Sequence, residues 1–192
     1  MKTAYFWLTP QGKQLAEQLQ AHFGGTVEPK ADFAEAVRRA FADCDALVFV
    51  MATGIVVRTI APLVQSKASD PAVLVLDQRG KHVISLLSGH LGGANAMAEQ
   101  AAAYLGGEAV ITTATDVEHV PAFDLFAKEN HLTIENLEEL KYISGALVAG
   151  EPVSLCTAFP VEKNAFPETV QIQPFSETPP HACAVAIAHT TE

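Results

Sequence analysis

The sequence predicts an α/β fold: a mostly parallel, open sheet flanked by helices, followed by a smaller α+β unit. Two short segments, 46–50 and 72–76, are continuously apolar, as expected for interior parallel strands that are covered on both faces. Segments with a helical spacing of apolar residues recur between such strands. Of the 192 residues, 49% are apolar and 18% are charged, which excludes an intrinsically disordered chain.

Strand and helix signals alternate over the first 116 residues. Thr9 and Pro10 have the residue types of an N-cap and a first helical residue, and Gly24 is expected to end that helix. Asp32 is expected to cap the second helix. The predicted elements are, in order, strand 4–8, helix 10–23, helix 33–41, strand 46–50, a turn at 53–54, helix 55–64 interrupted by Pro62, strand 72–76, a turn at 78–81, strand 82–86, a helix opened by 88–95 and running to 104, and strand 109–112.

The pattern changes after Asp116. The predicted elements of this part are helices over 122–128 and 137–148 and strands over 153–157 and 182–188. Five prolines between the two strands predict an irregular stretch: Pro160, Pro167, Pro174, Pro179 and Pro180. We therefore divide the chain into an α/β domain over residues 1–118, which carries the candidate site, and a smaller unit of helices and short strands over residues 119–192.

Charge and cysteine usage limit the classes of partner. Lys and Arg number 12 against 22 Asp and Glu, so the net charge is −10 and a nucleic-acid binder is not expected. No apolar segment reaches membrane-spanning length, and the run before Pro10 is too short for a signal peptide. Cys44, Cys156 and Cys183 lie far apart without a C-x-x-C pair, which predicts free thiols in a reducing, cytoplasmic compartment.

The strongest candidate for chemistry is the loop over residues 88–95, which follows a predicted strand and opens a helix. His90 can accept or donate a proton near neutral pH, and the free amides of a helix start suit a carboxylate or an oxyanion. The alternative is that Ser88 merely caps, the glycines serve packing and His90 is an exposed turn residue. The predicted ligand-binding residues of this loop are Ser88, Gly89, Gly92, Gly93 and Asn95.

A second candidate follows the buried strand 46–50. Thr53 and Gly54 lie at a helix start, and Arg58 lies about one turn further, from which it could reach back to clamp a carboxylate. An ordinary surface arginine is the alternative. Asp77 is a weaker candidate, because residues 77–80 have the composition of a hairpin turn.

A third candidate is the polar loop over residues 112–116. Thr113 and Thr115 are predicted to bind ligand and Asp116 to act on it, although all three are also ordinary capping residues. Because all three loops leave the carboxyl ends of predicted parallel strands, we expect them to line one crevice. The histidines outside these loops show neither HxxxH nor HxH spacing, so no metal site is predicted.

Several segments together resemble the amino-terminal domain of the CbiG family of cobalamin biosynthesis. They are ALVFVMATGIVVR at 46–58, DPAVLVLD at 70–77, SLLSGHLGGAN at 85–95 and ITTATD at 111–116. Residues 132–153, with EELK at 138–141 and GEPV at 150–153, are similar to the middle region of the family. The resemblance therefore covers most of the chain.

This resemblance implies the activity of a cobalt-precorrin 5A hydrolase, which opens a δ-lactone on the macrocycle and releases acetaldehyde in the anaerobic vitamin B12 route. The implied substrate is an anionic cobalt-tetrapyrrole, and no separate cofactor is implied because the cobalt arrives within it. His90 and Asp116 are the candidate bases, and Arg58, Arg79 and Lys81 could neutralise substrate carboxylates.

The chain departs from the family at its carboxyl end. The family commonly carries a third domain with a GxGCxxG-like start, which residues 188–192 do not contain. Either the sequence belongs to a longer chain or the third domain is a separate polypeptide. The competing interpretation is a non-catalytic tetrapyrrole-binding or scaffolding subunit that serves a partner domain or other enzymes of the pathway. A homodimer is a further open alternative.

Overall fold

A six-stranded sheet forms the centre of residues 1–112 in the computed structural model, which describes residues 1–161, 166–175, 178–181 and 184–188. Its strands are β1 (Thr3–Trp7), β2 (Thr26–Val27), β3 (Ala46–Val50), β4 (Ala72–Leu76), β5 (His82–Leu87) and β6 (Glu108–Val110). Their order across the sheet is β2-β1-β3-β4-β5-β6. The mostly parallel α/β sheet is therefore confirmed.

One pairing in this sheet is antiparallel. The strands β1 to β4 run in one direction, β5 pairs antiparallel with β4, and β6 pairs parallel with β5. The strands β1, β3 and β4 therefore end at one edge of the sheet, which we call the upper edge. The strands β5 and β6 end at the opposite edge, which we call the lower edge.

Four helices flank the sheet: α1 (Pro10–Phe23), α2 (Phe33–Asp43), α3 (Thr53–Ile60) and α4 (Ala94–Leu105). The helices α1 and α4 pack on one face, against side chains such as Tyr5 and Leu74. The helices α2 and α3 pack on the other face over β1, β3 and β4, where the rings of Phe6 and Phe49 stack at 5.0 Å. Continuous burial of β3 and β4 on both faces explains their unbroken apolar sequences.

The ends of α1 and α2 confirm some of the predicted capping residues. The hydroxyl of Thr9 accepts the amide of Gly12 at 3.0 Å, Pro10 is the first residue of α1, and Gly24 ends it with a φ of 78°. Asp32 lies at the predicted N-cap, but its backbone is left-handed and its carbonyl, rather than its side chain, accepts the amide of Ala36.

Two predicted helix boundaries are wrong. Thr53 and Gly54 are the first residues of α3 rather than a turn before it, and α3 ends at Ile60, before Pro62. Ala61 still has helical backbone angles, but Pro62 has no amide hydrogen to donate to the carbonyl of Arg58 four residues before it, which accounts for this early end. The helix α4 begins at Ala94, so most of the 88–95 segment is a loop before the helix.

Residues 113–192 form a second unit around a small parallel sheet. Its elements are α5 (Ala114–Val117), α6 (Phe123–Glu129), a 3-10 turn at Leu137–Glu139, α7 (Leu140–Val148), β7 (Val153–Thr157), β8 (Val170–Pro174) and β9 (Ala184–Ile187), with strand order β8-β7-β9. The two units divide between Thr112 and Thr113, six residues before the boundary expected from the sequence.

The structure corrects the view that the proline-containing stretch is irregular throughout. Residues 170–174 within it form β8, which pairs along its whole length with β7, and Pro174 occupies the last position of the strand. The last predicted strand is present as β9, and its predicted residues 182–183 lie outside the described residues. Among the described cysteines, Cys44 and Cys156 are free thiols, as predicted, while Cys183 is outside them.

Candidate functional site

The prediction that the candidate loops line one crevice is wrong. The segment that carries Thr53 follows β3 and begins α3 at the upper edge, whereas the loop that carries His90 follows β5 and lies at the lower edge. A strand of five residues such as β3 spans roughly 16 Å, so the two segments are separated by about the height of the sheet. The reversal of β5 is the physical cause.

At the upper edge, the ends of β1, β3 and β4 border a cavity of about 640 Å³. Five polar side chains line it: Thr9, Thr53, Asp77, Gln78 and His82. Its apolar lining includes Ile55 from α3 and the cross-strand pair Ile84 and Val110. A volume of this size lies within the ~300–1,000 Å³ range of small-molecule sites.

Asp77 and His82 form a carboxylate–imidazole pair in this cavity. The Nδ1 atom of His82 lies 3.4 Å from Oδ2 of Asp77, which also accepts the His82 amide at 2.7 Å, while Oδ1 accepts the amide of Arg79 at 2.8 Å. Partial burial acts to raise the pKa of Asp77, but hydrogen bonds from the amides of His82, Arg79 and Lys81 outweigh it and lower that pKa below its ordinary value. The carboxylate therefore stays ionised beside the imidazole.

Sequence reasoning missed His82 as a candidate. The available signal was its spacing from Asp77, because the two residues flank the short turn that joins β4 to β5. A hairpin brings the residues on either side of its turn close together. Asp77 alone has the character of a turn residue, and only the residue across the turn reveals the pair.

Arg58 lies at the same edge as this cavity. A Cβ atom built on Gly54 would lie 3.4 Å from the Nη1 atom of Arg58, so the exposed guanidinium folds back over the first turn of α3. Thr53, the first residue of α3, is partly buried and lines the cavity. The structure therefore brings Thr53, Gly54 and Arg58 together.

At the lower edge, Ser88 has a structural contact. Its backbone is left-handed with a φ of 58°, and its buried hydroxyl donates to the carbonyl of Asp70 at 2.9 Å. The Asp70 carboxylate accepts the amides of Gln65 and Ser66 at 2.9 and 3.0 Å. A Cβ atom on Gly92 would lie 2.7 Å from the carbonyl oxygen of Ser88, so this glycine is needed for packing within the loop.

Gly89 and Asn95 pack against each other in the same loop. The Asn95 Oδ1 atom accepts the Ser85 hydroxyl at 2.7 Å, and a Cβ atom on Gly89 would lie 2.7 Å from that oxygen. The carbonyl of Gly89 accepts the amide of Asn95 at 3.0 Å. These contacts match the structural alternative considered for the glycines, while a role for them toward a ligand stays a prediction.

His90 lies between Gly89 and Leu91, four residues before α4 begins. The amides of Gly93, Ala94 and Asn95 donate to the carbonyls of His90, Ser88 and Gly89, respectively, at 3.0–3.2 Å. Because the loop itself uses these amides, they are not the free oxyanion donors that the sequence suggested. The side chain of His90 is partly exposed.

The third candidate loop belongs to the second unit from Thr113 onward. The carbonyl of Thr113 accepts the amides of Asp116 and Val117 at 3.0 and 3.1 Å, so it starts the short helix α5. Thr115 is buried, and Asp116 lies in the first turn of α5. Their predicted roles toward a ligand stay predictions.

Neither a metal cluster nor a membrane span is found in the described part of the chain. Its residues contain no group of three His, Cys, Asp or Glu side chains that could hold a metal ion. None of its helices combines the length and apolar character required to cross a bilayer.

The fold defines an open-sheet α/β protein, a class in which ligand sites commonly lie beside the strand ends. Residues 35–116 match the family model described as Cobalamin synthesis G N-terminal, and residues 121–192 match the one described as Cobalamin biosynthesis central region. The chain therefore belongs to the CbiG family.

Similar proteins carry names consistent with this family. A protein of Salmonella typhimurium named cobalt-precorrin-5A hydrolase is 44% identical over 165 residues, covering 79% of this chain and 47% of that protein. A protein of Priestia megaterium with the same name is 42% identical over 109 residues, covering 57% of this chain and 29% of that protein. The chain thus spans less than half the length of these two relatives.

A solved structure supports the fold. The crystal structure of a cobalamin biosynthesis protein G homolog from Sulfolobus solfataricus aligns with a TM-score of 0.56 at 24% identity. The alignment covers 96% of this chain and 59% of that one. At this identity the likeness establishes the shared fold.

Proposed function

We propose that this chain provides the amino-terminal and central regions of a cobalt-precorrin-5A hydrolase. The observation that carries the proposal is the match of 154 residues, 82 in 35–116 and 72 in 121–192, to the two CbiG regions. The relatives named for this hydrolase support it. The substrate is then an anionic cobalt-tetrapyrrole, which brings its own cobalt into a cytoplasmic enzyme without a further cofactor.

The reaction has two parts in this proposal. Water attacks the carbonyl carbon of the δ-lactone, its proton passes to a base, and the C–O bond of the ring breaks to leave a carboxylate and a hydroxyl group. The new hydroxyl group then loses its proton and its oxygen becomes the carbonyl of acetaldehyde as the carbon–carbon bond breaks. The electron pair of that bond stays on the conjugated macrocycle, so no external oxidant or reductant is needed. His90 is the proposed base for the first part, with Asp116 as the second candidate.

The test is acetaldehyde release from cobalt-precorrin 5A, followed through the NADH consumed by a coupled alcohol dehydrogenase. The chain is assayed alone and together with a carboxy-terminal CbiG domain supplied as a separate polypeptide, with that domain alone as the control. Acetaldehyde release by the chain alone would support an enzyme that is active without the third domain. Release only when the chain and the third domain are combined would support an active site to which both contribute. Equal release by the third domain without this chain would favour the scaffolding alternative.

A further inference from the structure

The upper-edge cavity combines an apolar wall with a polar rim. Ile84 and Val110 are neighbours in the register of β5 and β6, and both are partly exposed. The helices α2 and α3 cover this face of the sheet over β1, β3 and β4, and Ile84 packs at the margin of that core. The wall thus offers a flat apolar surface that continues from a buried core into an open cavity.

Cationic residues lie at the same end of the sheet as the cavity. They belong to the helix α3 and to two loops of the upper edge, although the chain as a whole has a net charge of −10. Arg58 folds over the start of α3, Arg79 and Lys81 lie in the turn between β4 and β5, and Lys30 donates to the carbonyl of Leu8 at 2.9 Å. Among the described residues, Arg58, Arg79 and Lys81 have no ion-pair partner, so their charges are available to the carboxylates of a ligand.

His82 places a ring nitrogen on this rim. Its Nδ1 atom lies beside the Asp77 carboxylate, so Nε2 is the ring nitrogen left for a ligand. A protonated imidazole has a donor on each nitrogen, and it can therefore bridge Asp77 and a ligand carboxylate. Asp77 acts here as a positioning residue that fixes the ring.

We propose that this cavity binds one side of the tetrapyrrole, with a ring face on Ile84 and Val110 and a peripheral carboxylate held by Arg58 and His82. The inference rests on the proposed function, because it locates the substrate of that reaction. A macrocycle in this position extends along the exposed face of β5, from the upper edge toward the lower edge where His90 lies. His82 and Arg58 then determine binding, whereas His90 serves the chemical step.

The test uses the full chain and uroporphyrin III, a metal-free macrocycle with eight carboxylates, as the probe. Trp7 is the single tryptophan and precedes Leu8, a lining residue of the cavity, so quenching of its fluorescence follows binding. The variants are Arg58→Ala and His82→Gln, with Arg38→Ala as the matched control, because Arg38 is an exposed arginine on α2 paired with Glu35 at 2.6 Å. Citrate, which has three carboxylates and no ring, tests whether the apolar wall contributes.

Loss of a charge-assisted hydrogen bond should raise the dissociation constant about ten- to a hundredfold in each cavity variant. Arg38→Ala should bind as the parent does, and citrate should bind at least tenfold more weakly than uroporphyrin. An unchanged dissociation constant in both cavity variants, or no uroporphyrin binding by the parent, would overturn the inference. If the cavity variants weaken binding but no acetaldehyde is released under any condition, the proposed function fails and the binding site stands.

Discussion

At the scale of single residues, His90 is distinguished by its neighbours. Ser88, Gly89, Gly92 and Asn95 have contacts that build the loop, and the imidazole of His90 is the group to which the proposed function assigns the chemistry there. A positioned general base contributes on the order of 10²–10⁴-fold in rate. His90→Ala should therefore lower the rate of acetaldehyde release by about that factor while uroporphyrin binding changes little. A parental rate in this variant would move the search to Asp116.

The Asp77 carboxylate should contribute stability that depends on pH. Its pKa in the folded protein lies below the ordinary value of 3.8, so the contribution is present above that value and is lost as the pH falls through the lowered pKa. Urea unfolding of the parent and of Asp77→Asn should therefore differ at pH 6, and this difference should shrink as the pH falls below 3.8. A difference that stays constant as the pH falls would contradict the cause given for the shift.

At the scale of elements, Gly92 in the lower-edge loop and Gly54 in the first turn of α3 form a matched pair for testing how tightly each segment is packed. An alanine at Gly92 would collide with Ser88, and overpacking of this kind costs about 1–3 kcal/mol. An alanine at Gly54 meets the Arg58 guanidinium at 3.4 Å, which is an ordinary contact, and surface changes of this kind stay within about 0.5 kcal/mol. Chemical denaturation measures the free energy of unfolding of both variants. Equal values would show that the lower-edge loop can rearrange to accommodate the added methyl group.

The elements also show how far the sequence could be interpreted. The apolar runs predicted β3 and β4, because a strand that is buried on both faces is apolar throughout. Thr9 predicted the start of α1, because capping residues are recognisable in the local sequence. The direction of β5 could also be predicted from the sequence. Only residues 77–81 join β4 to β5, and a parallel crossover needs a dozen residues or more. The crevice prediction treated every strand as parallel and so joined loops that lie at opposite edges.

The cavity could not be predicted in the same way. It depends on Thr9, Thr53 and His82, which are far apart in sequence and meet only through the order of the strands. The hydrogen bonds between amides and carbonyls within the 88–95 loop could not be predicted either. A glycine-rich sequence is compatible both with close approach of a ligand and with tight packing of the loop. Both features are set by tertiary structure rather than by local pattern.

At the scale of the whole molecule, the separation of Arg58 from His90 predicts independent effects. Changes at sites more than about 7–10 Å apart with no shared partner add to within about 0.5 kcal/mol. In the rate of acetaldehyde release at low substrate concentration, the Arg58→Ala/His90→Ala double variant should therefore show the product of the two single effects. A double variant no worse than His90→Ala alone would show instead that the two residues act as one unit.

The outer strands of the large sheet affect the tendency of the protein to self-associate at high concentration. Within the described residues, the outermost strands β2 and β6 have two and three residues, so each exposes few unpaired backbone groups. A short outer strand offers few backbone groups with which a strand of another chain can pair. Such strand addition is a common route to aggregation. Self-association of this protein should therefore not proceed by extension of the large sheet.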